Sequence, residues 1–385
     1  MGDVSGAGDR VLEGRLATPG GLRVGRLRFG ERIEAVDVGR VAHEGDAGLP
    51  LVAPGFIDQH VHGGGGGDAM DGEDGVRALA RHHLRYGTTT LFPTTLTAPW
   101  PRVLAALRGI AEVASAPAGD EAAVLGAHLE GPFVNPKRLG AQPPHAIDAS
   151  PERVDEVLAA RIVRLATVAP ELPGVRSSAA RLAAAGVRLN VGHTRADAAT
   201  VEAFLADVRA AGGHGGATHL FNAMGGLDGR APGPVGALLG DGEAAIELIC
   251  DGHHVAAAAV RTAWRAARER LVLITDAIRA SGLRDGATEL GGAPVTVVDG
   301  AARLADGTLA GSVLTMDAAV RGAVAAGIDL ADALHAASAG PARYLGLADR
   351  GALAPGLRAD LVVLSPNLGV RQVWRGGVLV HEAQG

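Results

Sequence analysis

Apolar positions follow two rhythms along this chain. In its middle, apolar runs of strand length fall at 52–61, 88–96, 124–130, 162–168, 187–192, 216–221, 245–250 and 271–275. Between most of them lie Ala/Leu/Arg-rich stretches with apolar residues three and four apart, the spacing of an amphipathic helix. These stretches cover 75–86, 99–114, 151–160, 176–185, 196–210 and 254–268. Eight strand–helix repeats in succession predict an α/β fold, a (β/α)8 barrel of TIM type. The turn-rich segment 281–310 interrupts the pattern after the eighth strand and reads as a loop or hairpin over the barrel mouth. Helical spacing over 313–346 closes the barrel. No repeat of fixed period is present, which argues against a solenoid.

The two ends of the chain have a different texture. Short strands separated by turns are predicted at 11–16, 21–24 and 32–38, and again at 361–364, 370–375 and 378–380, with Gly376-Gly377 as a hairpin turn. The expected organisation is a small β-sandwich domain from residues 1–52 and 348–385, with a catalytic barrel domain from 53–347.

Composition narrows the function. A chain of 385 residues with 47% hydrophobic content has room for one large core and an accessory domain. The net charge is -6 and arginines form no basic stripe, so nucleic acid is not an expected partner. No run of 18 apolar residues occurs, and the N-terminal MGDVSGAGDR has no apolar segment of signal-peptide type. A cytoplasmic protein without a membrane partner is expected. The lone cysteine, Cys250, excludes an internal disulfide and a zinc ribbon and fits a reducing compartment. Lys137 is the single lysine, so any mechanism that needs a lysine must use it.

The candidate chemistry lies at strand ends. His60 and His62 alternate with Val61 and so share a face of the first strand, which opens into the glycines at 63–67. Glu130 ends the third strand, His193 the fifth, His219 the sixth and Asp276 the eighth. Active sites of such barrels lie at the C-terminal ends of the strands. Four histidines and two carboxylates on one rim are not explained by core packing, and they predict a metal site. Imidazole and carboxylate without thiolate suit zinc, iron, manganese or cobalt. Glu130, His193 and His219 make a three-ligand site with an open position. His60 and His62 are placed for a second ion, with Glu130 or Asp276 reaching between, so one or two ions per chain are expected. An ion there lowers the pKa of its water towards ~7. Asp276 is placed to take the proton and pass it to a leaving amine. The fourth strand has no lysine to bridge two ions. Glu171 reads as a surface carboxylate and His128 as a packed interior residue. His82, His83, His145, His214 and His335 read as structural or surface residues.

The strings PGFIDQHVHGG, HLEGPFVNPKRLGAQ, VGHT, THLFNAM, GRAPG, CDGHH, ITDAIRASGL, DGTLAGS and GLRADLVVLS, in this order over 53–364, carry a resemblance. The chain resembles the N-acetylglucosamine-6-phosphate deacetylases of the amidohydrolase superfamily. That resemblance implies hydrolysis of the acetamide of a 6-phosphorylated N-acetylamino sugar. It implies metal ligands at Glu130, His193 and His219, a second-metal pair at His60 and His62, and a catalytic acid/base at Asp276. It further implies substrate contacts from Asn222, Ala223 and His254, and a closing loop at Leu309, Ala310 and Gly311. Arg230 matches a phosphate-binding arginine donated by the neighbouring subunit of a homodimer. The string Gly140-Ala141-Gln142 departs from the family pattern, where histidine often stands at 142. Glutamine still donates a hydrogen bond but carries no charge, so the substrate preferred, N-acetylglucosamine 6-phosphate, N-acetylgalactosamine 6-phosphate or another N-acyl amine, stays open. A catalytically silent relative acting as a binding protein is the alternative of another class, disfavoured because every candidate ligand and Asp276 is present. Ala231 stands where the family has glutamate.

Overall fold

The computed structural model describes residues 10–383; the first nine residues of the N-terminal stretch and the last two of the chain lie outside it. Strands from both ends meet in one seven-stranded sheet. Its order is Val378–Glu382, Val370–Arg375, Leu361–Leu364, Leu51–Pro54, Arg10–Thr18, Gly21–Phe29 and Ile33–Val41. The sheet is rolled over on itself. Phe29 and Trp374 stand on strands four places apart in that order, roughly 19 Å in a flat sheet. Their rings nevertheless meet edge to face with centroids 5.3 Å apart. Leu16, Leu27, Ile33, Val52, Leu361 and Val363 fill the space the roll encloses.

The middle of the chain builds parallel sheet. Its strands are Phe56–Val61, Thr88–Pro93, Ala127–Glu130, Val163–Val168, Arg188–Val191, Gly215–Ala217, Ala245–Ile249 and Leu271–Ile274. The last six pair in chain order, and the first two pair with each other. Across the second and third strands, Thr95 N donates to His128 O at 3.0 Å. Across the eighth and first, Asp276 N donates to His60 O and His62 N to Ala277 O, both at 2.9 Å. Residues of these strands are almost all buried, as parallel strands covered on both faces require.

Two of the expected runs are broken. Residues 52–61 split at Gly55: Leu51–Pro54 joins the rolled sheet and Phe56–Val61 begins the parallel one. A Cβ on Gly55 would lie 2.3 Å from Thr89 Oγ1, so only glycine lets the chain pass from one sheet to the other there. Residues 124–130 split likewise. Ala123–Val124 pairs with the second strand and Ala127–Glu130 with the fourth.

The expected helices form as Glu73–Leu84, Trp100–Ser115, Pro151–Ala160, Val175–Ala184, Ala198–Ala210 and Ala257–Ala267. Met316–Ala325, Leu330–Ala336 and Ala339–Leu345 fill the closing segment. Gly233–Gly240 is a further helix that apolar spacing did not announce, because glycine and proline hold four of its eight positions. Segment 281–310 is more than a hairpin. Gly286–Leu290, Ala293–Val298 and Ala301–Arg303 form a three-stranded antiparallel flap. Leu290, Val295, Val297 and Ala302 seat it on Leu96 and Ile278. No helix among the described residues is long and apolar enough to cross a membrane.

Candidate active site

Six side chains meet at the C-terminal rim of the parallel strands. The carboxylate of Glu130 is the hub. Its Oε1 lies 3.2 Å from His193 Nε2, 3.1 Å from His219 Nε2 and 3.5 Å from His60 Nε2. Its Oε2 lies 3.1 Å from His62 Nε2. Asp276 Oδ1 lies 3.1 Å from His62 Nε2 and 3.4 Å from His60 Nε2. All six residues are at least nine-tenths buried.

The backbone delivers three of them in a conformation that strands do not use. His193, His219 and Asp276 have φ of 46°, 30° and 49°. Each sits just past its strand, where the left-handed turn swings the side chain inward over the strand ends. This conformation is costly for residues other than glycine, and the surrounding hydrogen bonds hold it. Glu171 takes part in that support rather than standing as a surface carboxylate. It accepts from Asn135 Nδ2 and Arg195 N, both at 2.7 Å, and from Thr194 Oγ1 at 2.5 Å, which fixes the turn that carries His193.

Ring orientation tests whether the cluster suits a cation. His60 Nδ1 faces Glu247 Oε2 at 3.1 Å, His62 Nδ1 faces Thr94 O at 3.1 Å and His193 Nδ1 faces Arg138 O at 2.9 Å. These partners only accept, so each Nδ1 carries the hydrogen. Each Nε2 then turns a lone pair towards the centre, the arrangement of metal-bound histidines. The field points the same way. Burial opposes charge on the His62 ring, yet Asp276 and Glu130 lift its pKa to about 9. His60 is raised well above its ordinary value by Glu130 and Asp276, again against burial. Burial raises the Asp276 carboxyl, but His60, His62 and His219 hold it down at about 2. A buried cluster that draws positive charge this strongly fits a divalent ion. The donors group as Glu130/His193/His219 and as His60/His62/Asp276.

Above the cluster opens a cavity of about 190 Å³. Ala141, Gln142, Asn222, Ala223, His254, Leu309 and Gly311 line it together with His62, Glu130, His193, His219 and Asp276. The structure therefore brings most of the expected site together. His60 lies fully buried beneath the floor. Ala310 is also buried and packs on the flap core rather than on the cavity. Arg230 does not line the cavity; it is exposed on the loop before the Gly233–Gly240 helix. Leu96, Leu290 and Thr308 are wall residues that the sequence pattern did not single out.

Several side chains are already engaged. Gln142 donates Nε2 to Glu130 Oε2 at 2.6 Å. Asn222 Nδ2 donates to His219 O at 3.1 Å. His254 Nδ1 meets Asp251 Oδ2 at 2.6 Å; burial opposes its charge, but Asp251 raises its pKa. His128 is a packed residue as expected. Its Nδ1 meets Gln59 O and its Nε2 meets Thr167 Oγ1, which leaves no ring nitrogen for a metal. His82 and His83 are structural, on Ser281 Oγ and Gly63 O. His145 and His214 are exposed and His335 is half-buried, all outside this cavity.

Residues 51–380 match the model of the amidohydrolase family. The chain belongs to that family. This amidohydrolase is 43% identical over 335 residues to the N-acetylgalactosamine-6-phosphate deacetylase of Escherichia coli O157:H7, covering 86% of this chain and 87% of that protein. It is 36% identical over 357 residues to the N-acetylglucosamine-6-phosphate deacetylase of Vibrio furnissii, with coverage of 91% and 88%. Among solved structures, it superposes on an aspartate-to-alanine mutant of the Mycobacterium smegmatis N-acetyl-D-glucosamine-6-phosphate deacetylase in complex with N-acetyl-D-glucosamine-6-phosphate. That match has a TM-score of 0.87 at 38% identity and covers 97% of this chain and 99% of the other.

Proposed function

We propose that this amidohydrolase removes the acetyl group of N-acetylglucosamine 6-phosphate, giving glucosamine 6-phosphate and acetate. The observation that carries the reading is the meeting of Glu130, His193 and His219 with His60, His62 and Asp276 under one cavity, the Nε2 of all four histidines turned towards Glu130. Glu130, His193 and His219 would hold one divalent ion, and His60, His62 and Asp276 a second. Zinc, iron, manganese and cobalt all suit the donors. A divalent ion supplies Lewis acidity towards a carbonyl oxygen and towards water.

The protein's own groups do the rest. Asp276, kept as a carboxylate, takes a proton from the attacking water at its Oδ and hands it to the departing nitrogen, which is a poor leaving group unless protonated. His254, anchored by Asp251, presents its other ring nitrogen to a sugar hydroxyl. The backbone at Asn222 and Ala223 and the loop at Thr308 to Gly311 enclose the sugar. The cavity lining contains no lysine or arginine. A phosphate dianion needs such a partner, which supports a homodimer in which Arg230 of one subunit completes the cavity of the other.

The same proposal takes the eight parallel strands as a closed (β/α)8 barrel over 53–347, supported by the hydrogen bonds at both seams. It takes residues 1–52 and 348–385 as the accessory sheet domain; among the described residues, the strands of the rolled sheet fall within 10–54 and 361–382. A cytoplasmic location suits the buried free thiol of Cys250.

A second reading exchanges the substrate for N-acetylgalactosamine 6-phosphate. It is favoured by the 43% identity to the Escherichia coli enzyme of that specificity and by Gln142 in the cavity wall. The test is acetate release from both phosphorylated epimers and from unphosphorylated N-acetylglucosamine. Higher kcat/KM on the gluco epimer supports the first reading, and higher on the galacto epimer the second. No acetate from either phosphate ester contradicts both.

A further inference from the structure

A fully buried carboxylate stands behind the metal cluster with no role yet in the reaction. Glu247 lies midway along the seventh parallel strand, Ala245–Ile249, with no solvent exposure. Four N–H donors surround it. Gln59 Nε2 at 2.7 Å and Asn190 Nδ2 at 3.0 Å reach Oε1; His60 Nδ1 at 3.1 Å and His219 N at 3.3 Å reach Oε2. A carboxylate has about four acceptor positions, and here all are filled by donors. Neither oxygen has room to carry a proton, so Glu247 is an acceptor on every side.

The donors cannot turn round freely. Asn190 Oδ1 accepts from Tyr344 Oη at 2.5 Å, which fixes its Nδ2 towards Glu247. Because Glu247 only accepts, the hydrogen of His60 must sit on Nδ1. Its Nε2 lone pair is then committed to the side where His62, Glu130 and Asp276 lie. His60, His128 and Glu247 are close enough to suggest another ion site. Both ring nitrogens of His128 are engaged elsewhere, and Glu247 has no free lone pair, so that trio does not hold an ion.

We infer that Glu247 is a positioning residue for the metal centre: it sets the tautomer and ring angle of His60 and ties that ring to the backbone of His219. His219 N is the donor of a residue at φ 30°. The same carboxylate therefore braces one ligand of each proposed ion. The two links differ in kind. His60 is held through its ring, whereas His219 is held only through its backbone, and its ring meets Glu130 directly. Loss of Glu247 should therefore weaken the His60 ion far more than the Glu130/His193/His219 ion.

This inference rests on the two-ion reading given above. Glu247→Gln is the informative change. If the new amide keeps its oxygen towards Gln59 and Asn190, its NH2 faces His60 Nδ1 and drives the hydrogen to Nε2, which blocks ligation. If it turns over, its NH2 opposes two fixed or nearby donors. The experiment titrates Co(II) into chelator-stripped protein, following heat and the visible spectrum, for wild type, Glu247→Gln and His60→Ala. Outer partners of metal-bound histidines typically contribute 10–100-fold in metal affinity. The expected result is two ions in wild type, one ion in His60→Ala, and in Glu247→Gln one ion of unchanged affinity with the second weakened about 10–100-fold. Two unchanged ions in Glu247→Gln overturn the inference and leave the two-ion reading intact. Equal loss of both ions together with a lower melting temperature also overturns it, because that is general unfolding. A wild type that binds fewer than two ions overturns the two-ion reading itself, and is seen before any variant is measured. If Glu247→Gln does not fold, Glu247→Asp keeps the charge but falls short by one methylene. It should weaken the same second ion by a smaller factor, and an unchanged second ion overturns the inference.

Discussion

Gln142 donates its Nε2 to Glu130 Oε2 at 2.6 Å, while its own Oε1 accepts from Thr97 N at 2.6 Å. The amide is held at both ends, so its donor is committed first to the hub carboxylate and only its second hydrogen can face a substrate. Losing a hydrogen bond to a charged group costs about 1.5–3 kcal/mol. Gln142→Ala should therefore lower kcat by about 10–100-fold with a smaller change in KM. Steady-state kinetics on N-acetylglucosamine 6-phosphate decides. A rise in KM at constant kcat would make Gln142 a simple substrate contact.

Arg230 is exposed, and its backbone N donates to Asp228 Oδ1 at 3.0 Å. If it grips the phosphate of a neighbouring subunit's substrate, Arg230→Ala should raise KM for the phosphorylated sugar by about 10–100-fold, from the same 1.5–3 kcal/mol per charged contact. Unphosphorylated N-acetylglucosamine should be little affected. Dilution to monomer should remove the same selectivity. Equal effects on the two sugars would reduce Arg230 to an ordinary loop residue.

The burial of His82 and His83 predicts a fold that loses stability in acid. Burial holds the pKa of His82 down to about 3, helped by His83 and Arg85. Burial also holds His83 down to about 4, against its hydrogen bond to Gly63 O. Their unfolded values lie near 6.5. The unfolded chain therefore binds protons that the folded chain refuses as pH falls below about 6.5. Stability from this source is full above that pH and is lost towards 3–4, at about 2 kcal/mol for each ring by pH 5. Urea unfolding at pH 7 and pH 5 checks it. His82→Gln should be less stable at pH 7 but lose about 2 kcal/mol less than wild type between the two. Equal losses would contradict the assignment.

Much of this site was legible because its residues sit at strand ends. The two-residue period placed His60 and His62 on one face, and the ends of the third, fifth, sixth and eighth strands supplied the other four members. Other parts were hidden for physical reasons. Glu247 lies inside an apolar run, and its donors come from the first, fifth and sixth strands, contacts that no local pattern encodes; a lone glutamate in a buried strand was the signal available. The inward turns at His193, His219 and Asp276 depend on backbone conformation rather than residue type. Glu171 read as a surface group because Asn135 and Thr194, its partners, are 36 and 23 residues away. The Gly233–Gly240 helix is stabilised by Val235 and Leu238 packing into the core rather than by helix propensity.

Asp276 faces both His62 and the cavity. If Asp276 carries the proton as proposed, Asp276→Asn keeps the size of the side chain but removes the carrier. General acid–base catalysis contributes about 10²–10⁴-fold, so kcat should fall by that factor while substrate still binds. Metal content is measured on the same preparation. Near-normal turnover with metal retained would move the proton transfer to another group, with His254 the next candidate.

The central claim is that the cluster under the cavity is a two-ion site on which deacetylation depends. It is tested by metal analysis of chelator-free protein together with acetate release from N-acetylglucosamine 6-phosphate, before and after stripping and on readdition of a divalent ion. The account predicts close to two ions per chain, one in His60→Ala, loss of acetate release on stripping and its return with the metal. Full turnover in stripped protein, or one ion per chain unchanged by His60→Ala, would contradict it.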